Sequence, residues 1–237
     1  MRLSTKHVCV VAGVGPGNGA AIGRRFAQEG YEVALLARSD DFTASLVDEL
    51  NGAAHPFQCD VTDPESVSAV FERISVELGR IEVLSYNAGS GVWGSVDEID
   101  AESFERSWRV NAHGLFLTSR AVIPGMKAIG RGAIVVTGAT ASLRGVAQTA
   151  AFAAAKAAQR GLAQSMARRL WPEGIHVALV IVDGVVDLPR TRRQMPDKPD
   201  EFFVQPEAVA STVWWLSRQP PSAWSFEVEA RPFGEKW

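Results

Sequence analysis

An α/β fold is predicted: a doubly wound parallel sheet with helices on both faces, in a single domain. Three observations predict it. Short, near-continuous apolar runs rich in Val and Ile recur along the chain; longer segments of helical period separate them; and a glycine-rich turn joins the first run to the first helix. A run apolar at every residue has no solvent face, which is the pattern of a strand covered on both sides. Repeated strand–helix alternation implies βαβ units with right-handed crossovers.

Taken in order, strands are expected at 7–12, 32–37, 83–87, 133–137 and 176–182, with a weaker one at 55–60 that carries Pro56. Helices are expected at 20–29, 41–50, 64–78, 101–123, about 150–170 and 207–217. Asp63 before Pro64 places a capping acid ahead of a first-turn proline, and Gly79 follows the last periodic residue. Pro206 opens the helix that holds Trp214 and Trp215. The alternation accounts for nearly all of residues 1–237, with no repeat and no linker. Two stretches stand outside it. Residues 187–205, rich in Pro and charge and without a period, read as a lid over a substrate pocket, with a disordered loop as the alternative. Residues 225–231 alternate apolar and polar, as an edge strand does.

Composition narrows the function. The 237 residues carry 24 Lys+Arg against 27 Asp+Glu, a net charge of −3. Phosphate-backbone binding needs a basic surplus, so no nucleic-acid partner is expected. No apolar run approaches the roughly 18 residues of a membrane span, and no charged-then-apolar leader opens the chain. Cys9 and Cys59 sit in strand-like stretches and read as two buried free thiols, with a disulfide as the alternative. A cytoplasmic location is the expectation. The histidines at 7, 55, 113 and 176 show no ligand spacing, so no metal site is expected.

The glycine-rich turn is the most informative stretch. In AGVGPGNGAAIG (12–23), Gly13, Gly17 and Gly19 surround Asn18 between the first strand and the first helix. Glycines let the backbone turn sharply and approach a pyrophosphate, and the helix N-terminus offers free N–H groups and partial positive charge. This makes the fold Rossmann-type. Where the second strand ends, Arg38 and Ser39 replace the acid that would read a ribose 2′-hydroxyl. A guanidinium there suits a 2′-phosphate, favouring NADP(H) over NAD(H). Pairing of Arg38 with Asp40 or Asp41 is the alternative.

These residues resemble the short-chain dehydrogenase/reductase family over essentially the full length. The glycine loop is similar to its TGxxxGxG, with Ala12 for the first Thr. Asp60-Val61 resembles the adenine-contacting acid after the third strand, Tyr86-Asn87-Ala88-Gly89 resembles its NNAG motif, and Asn111 its helix asparagine. The resemblance implies cofactor contacts at Gly13, Gly17, Asn18 and Gly19 of the loop, at Asp60 and Val61, at Asn87, Ala88 and Gly89, at Lys156 and at Val186. It also implies a catalytic tyrosine four residues before Lys156 and a serine 12 to 14 residues before that tyrosine, with Asn111 holding a proton-relay water near the lysine.

The chain departs from that pattern at the reacting end. The tyrosine position is Phe152 and the serine position is Ala139; Thr140 follows by one residue and Ser142 by three. Asp183-Gly184 stands for the family's PG turn, and Leu188 for a threonine near the carboxamide. A positioned general acid is worth about 10²–10⁴ in rate, and one oxyanion donor on the order of 10²–10³. Ordinary carbonyl reduction by the family's usual route is therefore disfavoured. Thr140 supplies the missing hydroxyl if the turn shifts by one residue, or else is a buried structural Thr. Tyr86 reads as packed with a solvated tip rather than as an acid, and His113 as structural or surface. Trp93 and Gln148 border the pocket that the resemblance implies. The basic run at 190–193 reads as a solvated loop, with a flap over the cofactor phosphates as the alternative.

Two functions follow. The first is an NADP(H)-dependent oxidoreductase moving hydride to or from a small organic substrate, a carbonyl or an activated C=C bond, with an altered proton-transfer group. The alternative is a catalytically inactive nucleotide-binding sensor or structural partner. The small side chains around Lys156 in AAFAAAKAA allow close helix packing, and the resemblance implies a homodimer or homotetramer through that helix; packing inside the domain is the alternative.

Overall fold

Apolar runs become strands where both sides of the pleat find cover. In the computed structural model, which describes residues 7–39 and 41–234, the strands are β1 (Val8–Ala12), β2 (Glu32–Ala37), β3 (Ala54–Gln58), β4 (Ile81–Tyr86), β5 (Gly132–Ala139), β6 (Ile175–Val182), the two-residue β7 (Val185–Val186) and β8 (Phe203–Val204), and β9 (Glu227–Ala230). Seven of them pair in parallel in the order β3-β2-β1-β4-β5-β6-β9, and β7 pairs with β8 apart from that sheet. Along β1, Val8, Val10 and Ala12 enter one core while Cys9 and Val11 enter the other. This is the period-two alternation of a strand buried on both faces.

The helices that cover the sheet are α1 (Asn18–Gln28), α2 (Asp41–Glu49), α3 (Pro64–Glu77), α4 (Ala101–Trp108), α5 (Gly114–Ile129), α6 (Ala150–Leu170), the short α7 (Pro189–Gln194) and α8 (Pro206–Ser217). Phe71 and Ile74 of α3, Leu115 and Met126 of α5, and Ala163 and Ala167 of α6 fill one layer. Ile22 and Phe26 of α1, Leu46 of α2, and Val209 and Val213 of α8 fill the other. The chain runs outward from β1 to β3, returns, and runs outward the other way from β4 to β6. That reversal leaves a crevice beyond the C-terminal ends of β1 and β4.

The expected start of α3 is observed: Asp63 accepts a hydrogen bond from the Glu65 N–H at 3.0 Å, with Pro64 in the first turn. Both cysteines are buried and free. Among the described residues no helix is long and apolar enough to cross a membrane. The tail strand lies at the edge of the sheet, against β6.

Three expectations need correction. The helix expected at 101–123 is two helices joined by a wider π-type turn at Arg109–His113, where the Gly114 N–H reaches back to the Arg109 carbonyl. It also continues past Ile123, through Pro124, to Ile129. A proline inside a helix costs about 3 kcal/mol, but Pro124 lies on the exposed side while Met126 is buried against Gly132. Packing of the last turn outweighs the local cost. Finally, residues 187–205 are not without structure. They hold α7 and β8, and Arg192 ties them together by pairing with Asp187 at 2.7 Å and Asp200 at 2.6 Å.

Candidate functional site

The crevice at the strand ends encloses about 990 Å³. Its floor is the glycine turn. Gly13 has φ +94°, and a side chain there would run into the Ala88 backbone. A β-carbon on Gly19 would lie 2.5 Å from the Gly13 carbonyl oxygen. Asn87 clamps the turn, its side-chain amide donating to the same Gly13 oxygen at 2.7 Å. No side chain caps α1 behind Gly17; the Ala20 N–H goes to the Gly15 carbonyl at 3.2 Å, which leaves the first helical N–H groups, those of Asn18 and Gly19, for an anion.

Gly13, Gly17, Asn18, Gly19, Arg38, Ser39, Asp60, Val61, Asn87, Ala88, Gly89 and Val186 all line this crevice. Asp60 is held by Thr62, which donates from its backbone N–H at 2.9 Å and its hydroxyl at 2.8 Å. Arg38 is exposed, and its carbonyl accepts from the Gln58 amide at 3.0 Å. Its suggested pairing with Asp40 involves a residue outside the described ones. Asn18 Oδ1 in the crevice and Asn111 Oδ1 behind Gly89 are among the buried side-chain oxygens with no hydrogen-bond partner. Unsatisfied buried acceptors are costly. A dinucleotide with ribose hydroxyls suits this cradle of small residues and open acceptors.

Lys156 does not line the crevice itself. It is buried on α6, and its Nζ donates to the Thr137 carbonyl at 2.9 Å and to Gln159 Oε1 at 3.0 Å. It lies close behind Gly89, where a β-carbon would be 3.8 Å from Nζ and 3.4 Å from Asn111 Oδ1. Burial pulls its pKa down to about 7. Asn111 sits in the π-type turn, and its amide donates to the Ser107 carbonyl at 2.8 Å and the Ser90 carbonyl at 3.1 Å. The turn leaves carbonyls for side-chain donors, and Tyr86 and Gln159 take those of Val110 and Asn111. Tyr86 is wholly buried and therefore has no solvated tip; burial drives its ionisation far above the usual range.

At the reacting end the Phe152 ring lies 5.9 Å from Lys156 Nζ and 5.8 Å from the ring of exposed Trp93. Ala139 ends β5, and its N–H donates to Ser142 Oγ at 3.1 Å. The Thr140 hydroxyl donates to Asp183, whose other carboxylate oxygen is 2.8 Å from Arg231. A hydroxyl has one proton, so in this arrangement Thr140 has none to offer a substrate oxygen. His113 stacks between Trp108 and Phe116, and the Gln148 carbonyl accepts from the Gly94 N–H at 2.9 Å.

Residues 6–199 match the short chain dehydrogenase family. The chain belongs to that family. As a short-chain dehydrogenase it is 31% identical over 207 residues to the D-xylose 1-dehydrogenase of Caulobacter vibrioides, across 86% of this chain and 78% of that enzyme. It superposes on a short-chain dehydrogenase from Rhodopseudomonas palustris with a TM-score of 0.82 and 35% identity, covering 96% of this chain and 99% of that one. A metagenomic short-chain oxidoreductase in complex with NADP gives a TM-score of 0.84 at 29% identity, covering 97% and 98%. Membership makes the chain an oxidoreductase by family, with a nicotinamide cofactor.

Several parts of this short-chain dehydrogenase's site escape sequence reasoning. Glu102, Glu105 and Arg106 of α4 and Arg109 of the π-type turn form a wall of the crevice, although their spacing reads only as a solvated helix face. The Thr140–Asp183 bond joins residues 43 apart in sequence. Gln159 is completely buried beside Lys156. Its one signal is a polar residue three positions after the lysine in an alanine-rich helix, the spacing of side-chain neighbours.

Proposed function

We propose that this protein is an NADP(H)-dependent oxidoreductase that moves hydride between the cofactor and a small organic substrate without a tyrosine as proton donor, and that its substrates carry an activated C=C bond. One observation carries the reading: the crevice keeps its cradle and its open acceptors, while the side chain one turn before Lys156 is Phe152, which has no proton to give. A bound nicotinamide supplies the hydride. Reduction at the β-carbon of a conjugated carbonyl leaves an enolate, which water protonates at the α-carbon, so the missing acid is least costly there. Arg38 and Ser39 would hold the 2′-phosphate, and Lys156 the ribose next to the nicotinamide. Phe152 and Trp93 would wall the reacting face, with residues 187–205 as the lid. The buried thiols favour a reducing cytoplasm, and the small-residue face of α6 a homodimer or homotetramer, which sedimentation at low concentration tests.

The experiment follows NADPH absorbance with enones, quinones, enoyl thioesters and simple ketones. Turnover of the conjugated substrates above ketones, lost in Lys156→Ala, supports the proposal. Background oxidation across the panel with tight NADPH binding favours the second reading, a nucleotide-binding protein without turnover, which the engagement of Thr140 with Asp183 also supports.

A further inference from the structure

An ammonium group has three N–H donors. Two of those on Lys156 are taken, by the Thr137 carbonyl and by Gln159 Oε1, at 2.9 and 3.0 Å. Gln159 has no exposed surface, and its own amide donates to the main-chain oxygen of Asn111 at 2.8 Å. One carboxamide thus spans the space between the lysine and the π-type turn. On the crevice side Nζ lies behind Gly89, which lines the crevice and on which a β-carbon would be 3.8 Å from Nζ.

We propose that Gln159 is a positioning residue for Lys156: it fixes the amine so that one N–H faces the crevice at Gly89, and it fills with a fixed amide the gap through which water would otherwise reach the lysine from the Asn111 side. Water passes protons readily by exchanging donor and acceptor roles; a carboxamide keeps its N–H₂ and its C=O in place. Lys156 therefore binds and orients but is cut off from a proton path along the turn. Only the role of the free N–H rests on the proposed cofactor reading. The groups around the amine are neutral on every side: Thr137 on β5, Phe152 and Gln159 on α6, Asn111 in the turn and Gly89 after β4. Its depressed pKa has burial as its cause, with no charged partner contributing. The hydrogen bonds to the Thr137 carbonyl and to Gln159 Oε1 are contacts that an ammonium makes better than a neutral amine.

The test titrates the full-length protein with 13Cε-labelled lysine, without cofactor, and assigns the Lys156 signal with Lys156→Met. Gln159→Leu removes the acceptor and should lower the Lys156 midpoint, whereas Gln159→Glu should raise it by about 1–3 pH units, the effect of an opposite charge in contact. Gln159→Met replaces the Leu variant if that one does not fold. NADPH affinity measured across pH should weaken at a midpoint that moves with the lysine. Unchanged lysine midpoints in folded variants overturn the proposal. Shifted midpoints in a protein that binds no NADPH at any pH uphold the positioning role and instead overturn the cofactor reading.

Discussion

Leu188 lies directly over Gly17: a β-carbon on that glycine would be 2.5 Å from Leu188 Cδ2. The segment 187–205 thus meets the glycine turn at Leu188. Gly17 has φ −163°, extended backbone open to any residue, so the constraint on it is steric. Gly17→Ala should destabilise the fold by about 1–3 kcal/mol, as overpacking does. In the Gly17→Ala, Leu188→Ala double variant the loss should be smaller than the sum of the singles. Urea unfolding of the four proteins measures the coupling, and simple additivity would mean that the contact does not form.

Arg38, just after β2, is an exposed cation that lines the crevice. Its hydrogen bonds to a 2′-phosphate would be charge-assisted, worth about 1.5–3 kcal/mol, or roughly tenfold to over a hundredfold in affinity. Arg38→Asp should weaken NADP(H) binding by that factor and leave NAD(H) equal or tighter. Calorimetry with both cofactors decides; equal loss for the two would place the 2′-phosphate elsewhere.

Restoring the absent hydroxyls should restore ketone chemistry. Phe152→Tyr with Ala139→Ser places a phenol within one helical turn of Lys156 and a hydroxyl at the end of β5. Ketone reduction should rise by about 10²–10⁴ over the starting protein, read from NADPH consumption. No gain in a folded, cofactor-binding double variant would show that the pocket has diverged beyond these two positions.

His176 should make stability sensitive to acid. Its ring is buried, stacked 4.8 Å from Trp224, with Nδ1 3.0 Å from the Leu216 carbonyl and Nε2 2.9 Å from that of Ser225. Burial lowers its pKa, and the two carbonyls oppose that shift only in part. The unfolded chain, titrating near ~6.5, then binds the extra proton first as pH falls. Stability is full above that value and is lost below it, until the folded ring protonates as well. Urea midpoints between pH 7.5 and 5.5 should fall in the wild type and fall less steeply in His176→Phe. Equal slopes would assign the acid sensitivity to other groups.

The glycine turn, the buried strands and Arg38 were legible because their signals are local: apolar residues at every position of a strand, and glycines where a side chain would strike backbone. The break at Arg109–His113 was not. Its wider turn is stabilised by Tyr86 and Gln159, which donate to the Val110 and Asn111 carbonyls, partners up to 48 residues distant. Pro124 misled for the same reason, since the packing of Met126 against Gly132 decides where α5 ends. Phe152 and Ala139 could be placed by spacing from Lys156, but Thr140 could not be judged until Asp183 was brought beside it from the end of β6.

The outer strands of the sheet also limit how copies of this protein meet. The Cys59 N–H donates to the Ala37 carbonyl and the Ala53 carbonyl accepts from the Val33 N–H, so odd-numbered residues of this stretch face β2 and Pro56 faces outward. A proline there offers no donor to an incoming strand. At the far side, β9 carries Glu227, paired with Arg160, and Glu229, paired with Arg231. The β3 margin at Pro56 thus offers an incoming strand no donor, which disfavours lengthening the sheet from that side.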